Sequence, residues 1–91
     1  MRVTVRLNDS VSAPFYVDTG ASGVALPVHV ANQLGLRVGP KTRHVPVTTA
    51  NGRVLRPLFR LDAVELGGAR VEGLEATLNP TMDIGLLGGA F

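Results

Sequence analysis

The chain has 91 residues, room for one small domain and not two, and an apolar fraction of 45% can fill the modest core of such a domain. It has no cysteine, which excludes disulfides, thiolate metal sites and a cysteine nucleophile. A net charge of +2 is too small to argue for nucleic acid, and no run reaches the ~18 apolar residues of a membrane span.

Val3, Val5 and Leu7 alternate with Arg2, Thr4 and Arg6, the period of a half-buried strand, with no apolar stretch of the kind a signal peptide needs. Asn8-Asp9-Ser10 is turn chemistry, and Phe15 and Val17 then alternate with Tyr16 and Asp18. The first eighteen residues therefore predict a hairpin whose second strand ends at Asp18. After a short apolar piece at Val24-Ala25-Leu26, residues 27–35 predict a short helix. Pro27 suits its first position, Gly35 the residue just past its end, and Val28, Ala31 and Leu34 share a face.

Residues 45–61 predict a long hairpin turning at Asn51-Gly52, a type I′ turn with positive φ at both central positions. Phe59 and Leu61 alternate with polar neighbours, as do Val64 and Leu66, but the phase slips near Ala63, which predicts a bulge or bend. Gly67-Gly68 is a further turn, Leu74, Ala76 and Leu78 alternate, and Asn79-Pro80-Thr81 is a loop. The chain closes on the apolar, glycine-containing segment 84–91. Six or seven short strands and one helix, without repeat or linker, make residues 1–91 one all-β domain.

Between Thr19 and Leu61 stand Arg37, Lys41, Arg43, Arg53, Arg56 and Arg60 and no acidic residue. One tyrosine and three phenylalanines give little for bases to stack on, so a solvated basic face is the stronger reading and a nucleic-acid-binding barrel the weaker. His29 and His44 lack partners at metal-ligand spacing, and no metal site is expected.

The stretch that carries chemistry is Asp18-Thr19-Gly20-Ala21-Ser22, at the end of an apolar strand. Gly20 allows a sharp turn and a close approach of backbones, the Thr19 hydroxyl can tie the loop down, and Ser22 can hydrogen-bond the carboxylate. Asp-Thr-Gly alone also suits an ordinary turn. The longer context resembles the active-site loop of retropepsin-like aspartic proteases, in particular small bacterial single-domain members. Leu34-Gly35-Leu36, Thr49-Ala50-Asn51-Gly52 and Leu86-Leu87-Gly88 fall in order where that family has similar strings. The resemblance runs from Val3 to Phe91.

It implies a small closed, flattened β-barrel of the retroviral aspartic protease type, and an aspartic endopeptidase with Asp18 as the catalytic acid. Thr19 would reach the partner protomer's loop, with Gly20, Ala21 and Ser22 completing the active-site loop. Thr49, Ala50, Asn51, Gly52 and Arg53 would form a flap over bound peptide, and Leu86-Leu87-Gly88 would pass beneath the loop. The implied partners are a polypeptide substrate and a second copy of the chain, with no cofactor, nucleic acid or membrane. Family members continue past Leu-Leu-Gly through a short helix and further strands, which leaves room for a processed or truncated form. The bacterial resemblance suggests a bacterial host and leaves open whether the domain is cytoplasmic or belongs to a longer anchored or exported form. The basic excess in the flap half would favour acidic residues near the cleavage site.

Proteases of this class use two carboxylates sharing one proton. The chain has four aspartates, Asp9, Asp18, Asp62 and Asp83, and only Asp18 has the Thr-Gly context. The second carboxylate is therefore expected from a two-fold-related copy; Asp83, just before the Leu-Leu-Gly segment, better suits a turn or cap. The alternative reading keeps the fold without catalysis, as a dimerisation or peptide-binding module.

Overall fold

The computed structural model describes residues 1–18 and 23–88. Among them, in chain order, are β1 (Arg2–Leu7), β2 (Val11–Val17), β3 (Val24–Leu26), α1 (Val28–Gln33), β4 (His44–Thr49), β5 (Gly52–Leu66), β6 (Ala69–Leu78) and β7 (Gly85–Leu87). The alternation along β1 becomes alternation in burial: Val5 and Leu7 are buried, while Arg2, Thr4 and Arg6 are exposed. β1 pairs antiparallel with β2, Leu7 opposite Val11. Their turn puts Asn8 and Asp9 at φ 51° and 59°, a left-handed conformation these two residue types tolerate.

Six strands close into a ring in the order β1-β2-β7-β3-β6-β5, and β5 returns to β1 through Leu7 opposite Val64 and Arg6 opposite Glu65. Closure leaves no sheet edge on the ring itself. Phe15, Leu7, Leu26, Leu61, Leu87 and Val5 are fully buried inside it. Each such side chain contributes roughly 1.5–3 kcal/mol of burial free energy. The barrel with one short helix is the all-β architecture expected from the sequence.

β5 is fifteen residues long and changes partner along its length. Gly52 to Pro57 pair with β4, and Leu58 to Leu66 pair with β6. β4 stands outside the ring, so β4 and the first part of β5 form a hairpin that leaves the barrel. Pro46 is accommodated because β4 is an edge strand and its nitrogen owes no ladder bond.

The irregularity expected near Ala63 is real, but it is not a bulge. The β5–β6 offset is the same from Leu58 opposite Thr77 to Leu66 opposite Ala69, but the ladder skips one pair, Asp62 with Gly73, where Gly73 takes φ 67°. Leu61 and Val64 nevertheless both belong to the core, an odd spacing that requires the strand to twist between them. Asn8 clamps that twist. Its amide donates to the Ala63 carbonyl at 2.8 Å, and its Oδ1 accepts from the Asp62 and Ala63 amides at 2.7 and 3.2 Å. The adjacent Asp9 carboxylate accepts from Arg70 at 2.7 and 3.1 Å, and Arg70 also bonds Glu65 and, at 3.2 Å, Glu72. Turn β1–β2 is thereby tied to the β5–β6 hairpin.

The helix differs from expectation at its start. Pro27 has ψ 157° and is the N-cap, one position before the first helical residue. Val30 and Ala31 are buried and Val28 is 41% exposed, because Val28 lies about 200° around the helix from Val30. The C-terminus matches the expectation: Gly35 takes φ 76° just past the helix. There its amide donates to Asn32 at 3.1 Å and that of Leu36 to Ala31 at 3.0 Å, the paired bonds of a Schellman end.

Candidate active site

Asp18 follows the last residue of β2 and is exposed. Its position is set by β7, which runs parallel to β2 with Val17 opposite Leu87. The Asp18 amide extends that ladder, donating to the Leu87 carbonyl at 3.0 Å. On its other side β7 pairs antiparallel with β3, Val24 opposite Leu87 and Ala25 opposite Leu86. The Gly88 amide donates to the Gly23 carbonyl at 2.8 Å. Both ends of segment 18–23 are therefore bonded to the one short strand that runs between them. Thr19, Gly20, Ala21 and Ser22 lie outside the described residues.

β7 can lie this close because Gly85 has no side chain. A Cβ there would sit 2.3 Å from Cε2 of the buried Phe15 ring. Along β7 the Leu86-Leu87-Gly88 string divides its roles. Leu86 lines a surface cavity, Leu87 is buried in the core, and Gly88 supplies the amide that holds Gly23.

That cavity has a volume of about 370 Å³. Val45, Pro46 and Val47 of β4 form one wall, and Ala25, Leu58, Thr77 and Leu86 on the outer face of the barrel form the other. Gly23 and Val24 border it where the chain leaves the segment after Asp18. Arg43 and Glu75 also line it, 3.7 Å apart. Both are largely exposed, so the pair contributes at most about 1 kcal/mol, and it leaves the otherwise apolar cavity near neutral.

The hairpin tip does not line this cavity. Ala50, Asn51, Gly52 and Arg53 are exposed, with Thr49 half-buried. The type I′ turn expected at Asn51-Gly52 is not formed. Thr49 stands opposite Gly52, so the two-residue loop is Ala50-Asn51, and of these positions only Gly52 has positive φ, at 113°. The Thr49 side chain explains the shift. Its Oγ1 accepts from the Asn51 amide at 3.2 Å and donates to the Gly52 carbonyl at 2.8 Å, bracing the turn with no left-handed Asn51.

The cavity wall at Val45, Val47, Leu58 and Thr77 was missed in the sequence. The apolar Val45-x-Val47 alternation on a hairpin leaving the barrel is the signal that could have found part of it. Among the described residues no group of three or more His, Cys, Asp or Glu is arranged to hold a metal ion.

A closed six-strand barrel with a projecting hairpin and an aspartate at the end of β2 tied to β7 is the architecture of retropepsin-like proteins. A retropepsin-like aspartic protease from Rickettsia conorii superposes with a TM-score of 0.79 over 96% of this chain, at 30% identity. The chain spans 65% of that protein's length. No curated protein matches the sequence. Residues 3–91 match the family model described as aspartyl protease, and the chain belongs to that family.

Proposed function

We propose that two copies of this chain form an aspartic endopeptidase in which each Asp18 supplies one of the two catalytic carboxylates. The observation that carries the reading is that Asp18 and Gly23, at the two ends of segment 18–23, are bonded to Leu87 and Gly88, beside an apolar cavity of about 370 Å³ that shares Gly23 and Leu86 with the same framework. Family membership supports the chemistry, and a chain with one Asp-Thr-Gly supports the need for a second copy.

Two carboxylates at close range cannot both ionise, so the pair holds one proton. The ionised carboxylate takes a proton from water as its oxygen attacks the scissile carbonyl carbon. The protonated carboxyl hydrogen-bonds the carbonyl oxygen as it gains charge. Collapse of the tetrahedral intermediate breaks the C–N bond, and the departing nitrogen takes a proton from the pair. No covalent enzyme intermediate forms.

In this reading Thr19, Gly20, Ala21 and Ser22 shape and tie the catalytic loop, and Leu86-Leu87-Gly88 supports it from beneath. The β4–β5 hairpin, with Thr49, Ala50, Asn51, Gly52 and Arg53 at its tip, lies over an extended peptide. Backbone hydrogen bonds hold the peptide, and one apolar side chain enters the cavity walled by Val45, Val47 and Leu58.

The test is Asp18→Asn, an isosteric change that removes the shared charge. Cleavage should be abolished with the circular dichroism spectrum unchanged. Residual activity within about tenfold of the parent, ~1.4 kcal/mol of barrier, would remove Asp18 from catalysis. Specific activity of the parent should fall on dilution, and excess Asp18→Asn chain should inhibit it through mixed pairs. Peptide binding without cleavage at any concentration would turn the reading to a peptide-binding module.

A further inference from the structure

The basic excess of the sequence gathers in one place in the fold. A second groove, of about 570 Å³, is lined by the segment before β4 (Arg37, Lys41 and Arg43) and by Leu58, Phe59 and Arg60 of β5. No Asp or Glu among the described residues lines it. Among the described residues Arg37, Lys41 and Arg60 make no ion pair, and Arg43 has only the long, exposed contact to Glu75. Glu75 is also the residue opposite Arg60 on β6 and so stands at the edge of a groove with four cations.

The cations stand on a braced frame. The Gly39 amide donates to Thr42 Oγ1 at 2.7 Å and the Thr42 amide to the Gly39 carbonyl at 3.1 Å, closing the turn between Arg37 and Arg43. The Leu58 amide donates to the Arg43 carbonyl at 2.8 Å and fastens that turn to β5. Arg60 is seated by a missing side chain: Gly73, at φ 67°, leaves the space its guanidinium occupies, and a Cβ there would lie 2.7 Å from Nη2. The groove also continues from the apolar cavity, since Arg43 and Leu58 line both.

We infer that this groove is an exosite for acidic residues of the polypeptide substrate, lying outside the segment that occupies the cavity next to Asp18. The inference rests on the endopeptidase reading and names the kind of substrate that site selects. An extended chain leaving the cavity past Arg43 meets Lys41, Arg37 and Arg60 in turn or in part, and glutamates or aspartates there complete the unpaired cations. The groove favours a peptide over a nucleic acid. Its aromatic residue, Phe59, is half-buried, so the groove lacks an exposed ring on which bases stack, and it opens into the peptide cavity.

The test separates binding from cleavage. Fluorescence anisotropy on the full Asp18→Asn chain compares two labelled peptides with one apolar core, one extended by a block of glutamates and the other by glutamines, with the extension placed on either end in turn. For one of the two placements the glutamate peptide should bind about tenfold tighter at low salt, ~1.4 kcal/mol. The advantage should shrink as salt shortens the screening length to about 8 Å. It should fall to about twofold or less in Arg37→Gln/Lys41→Gln, whose circular dichroism should match the parent, because exposed pairs contribute about 0.2–1 kcal/mol each. In the active chain the same extension should lower KM and leave kcat unchanged.

Equal affinity for the two peptides in both placements, or an advantage that survives the double substitution, overturns the inference. So does a single-stranded oligonucleotide of matched charge that binds as tightly as the glutamate peptide and loses that affinity in the double variant. Failure of the parent chain to cleave any peptide would count against the endopeptidase reading alone, because the anisotropy comparison is made without cleavage.

Discussion

Gly85→Ala tests how closely β7 must approach the barrel interior. The added methyl would sit 2.3 Å from Cε2 of Phe15 and 2.6 Å from Cδ2 and Cζ, about 0.8 to 1.1 Å short of the 3.4 Å at which ordinary contact begins. Neither side has an easy retreat. Phe15 is fully buried, and β7 is bonded to β2 on one flank and β3 on the other. Overpacking of a filled core costs about 1–3 kcal/mol, and three clashing ring atoms put this case in the upper half of that range. For a domain of this size each kcal/mol lowers Tm by about 4–8 °C, so a fall of roughly 8–24 °C is expected. The assay is thermal denaturation followed by circular dichroism at one fixed protein concentration, since any self-association adds to apparent stability. Shrinking the ring should relieve the clash, so Phe15→Leu in the Gly85→Ala background should show a favourable coupling of about 1 kcal/mol or more. A Tm within about 2 °C of the parent, or strictly additive effects, would refute the close-approach argument.

The hydrogen bond from Arg70 holds the Asp9 carboxyl below its ordinary value of 3.8. A depressed folded value means the stabilisation is present above 3.8 and lost as pH falls through the still lower folded value. Asp9→Asn should thus lower Tm at pH 7, by a gap that narrows as pH falls below 3.8; a gap that stays constant on acidification would contradict the assignment. Asn8→Ala strips the acceptor from the Asp62 and Ala63 amides and puts alanine at φ 51°, for a loss of about 2–3 kcal/mol in denaturant unfolding. Gly52→Val places a β-branched residue at φ 113° in open space, so kcat/KM should fall more than Tm, and normal peptide cleavage would show that the hairpin tip is not a working lid.

The sequence by itself determined the parts of this protein that depend on neighbours along the chain. Alternation at Val3-Val5-Leu7 and Phe15-Val17 marks strands because side chains two apart share a face whatever the partner strand is. Gly35 marks a helix end because only backbone freedom at that residue is needed for the bonds to Asn32 and Ala31. The Asp18-Thr19-Gly20 string at the end of an apolar strand was legible for the same reason, and its ordered companions at Thr49-Gly52 and Leu86-Gly88 pointed to the family. Even so, one nearby side chain was enough to mislead: the Thr49 hydroxyl moved the hairpin turn from Asn51-Gly52 to Ala50-Asn51. What only the tertiary structure decided depends on pairings between distant residues. No local pattern says that β7 lies between β2 and β3, or that β5 serves β4, then β6, then β1. The Asn8 clamp spans 54 and 55 residues, the Gly85–Phe15 approach joins β7 to β2, and the two grooves draw on strands and loops from Gly23 to Leu86. Each is a consequence of barrel closure, which brings together residues whose individual preferences are satisfied by many other arrangements of the same strands.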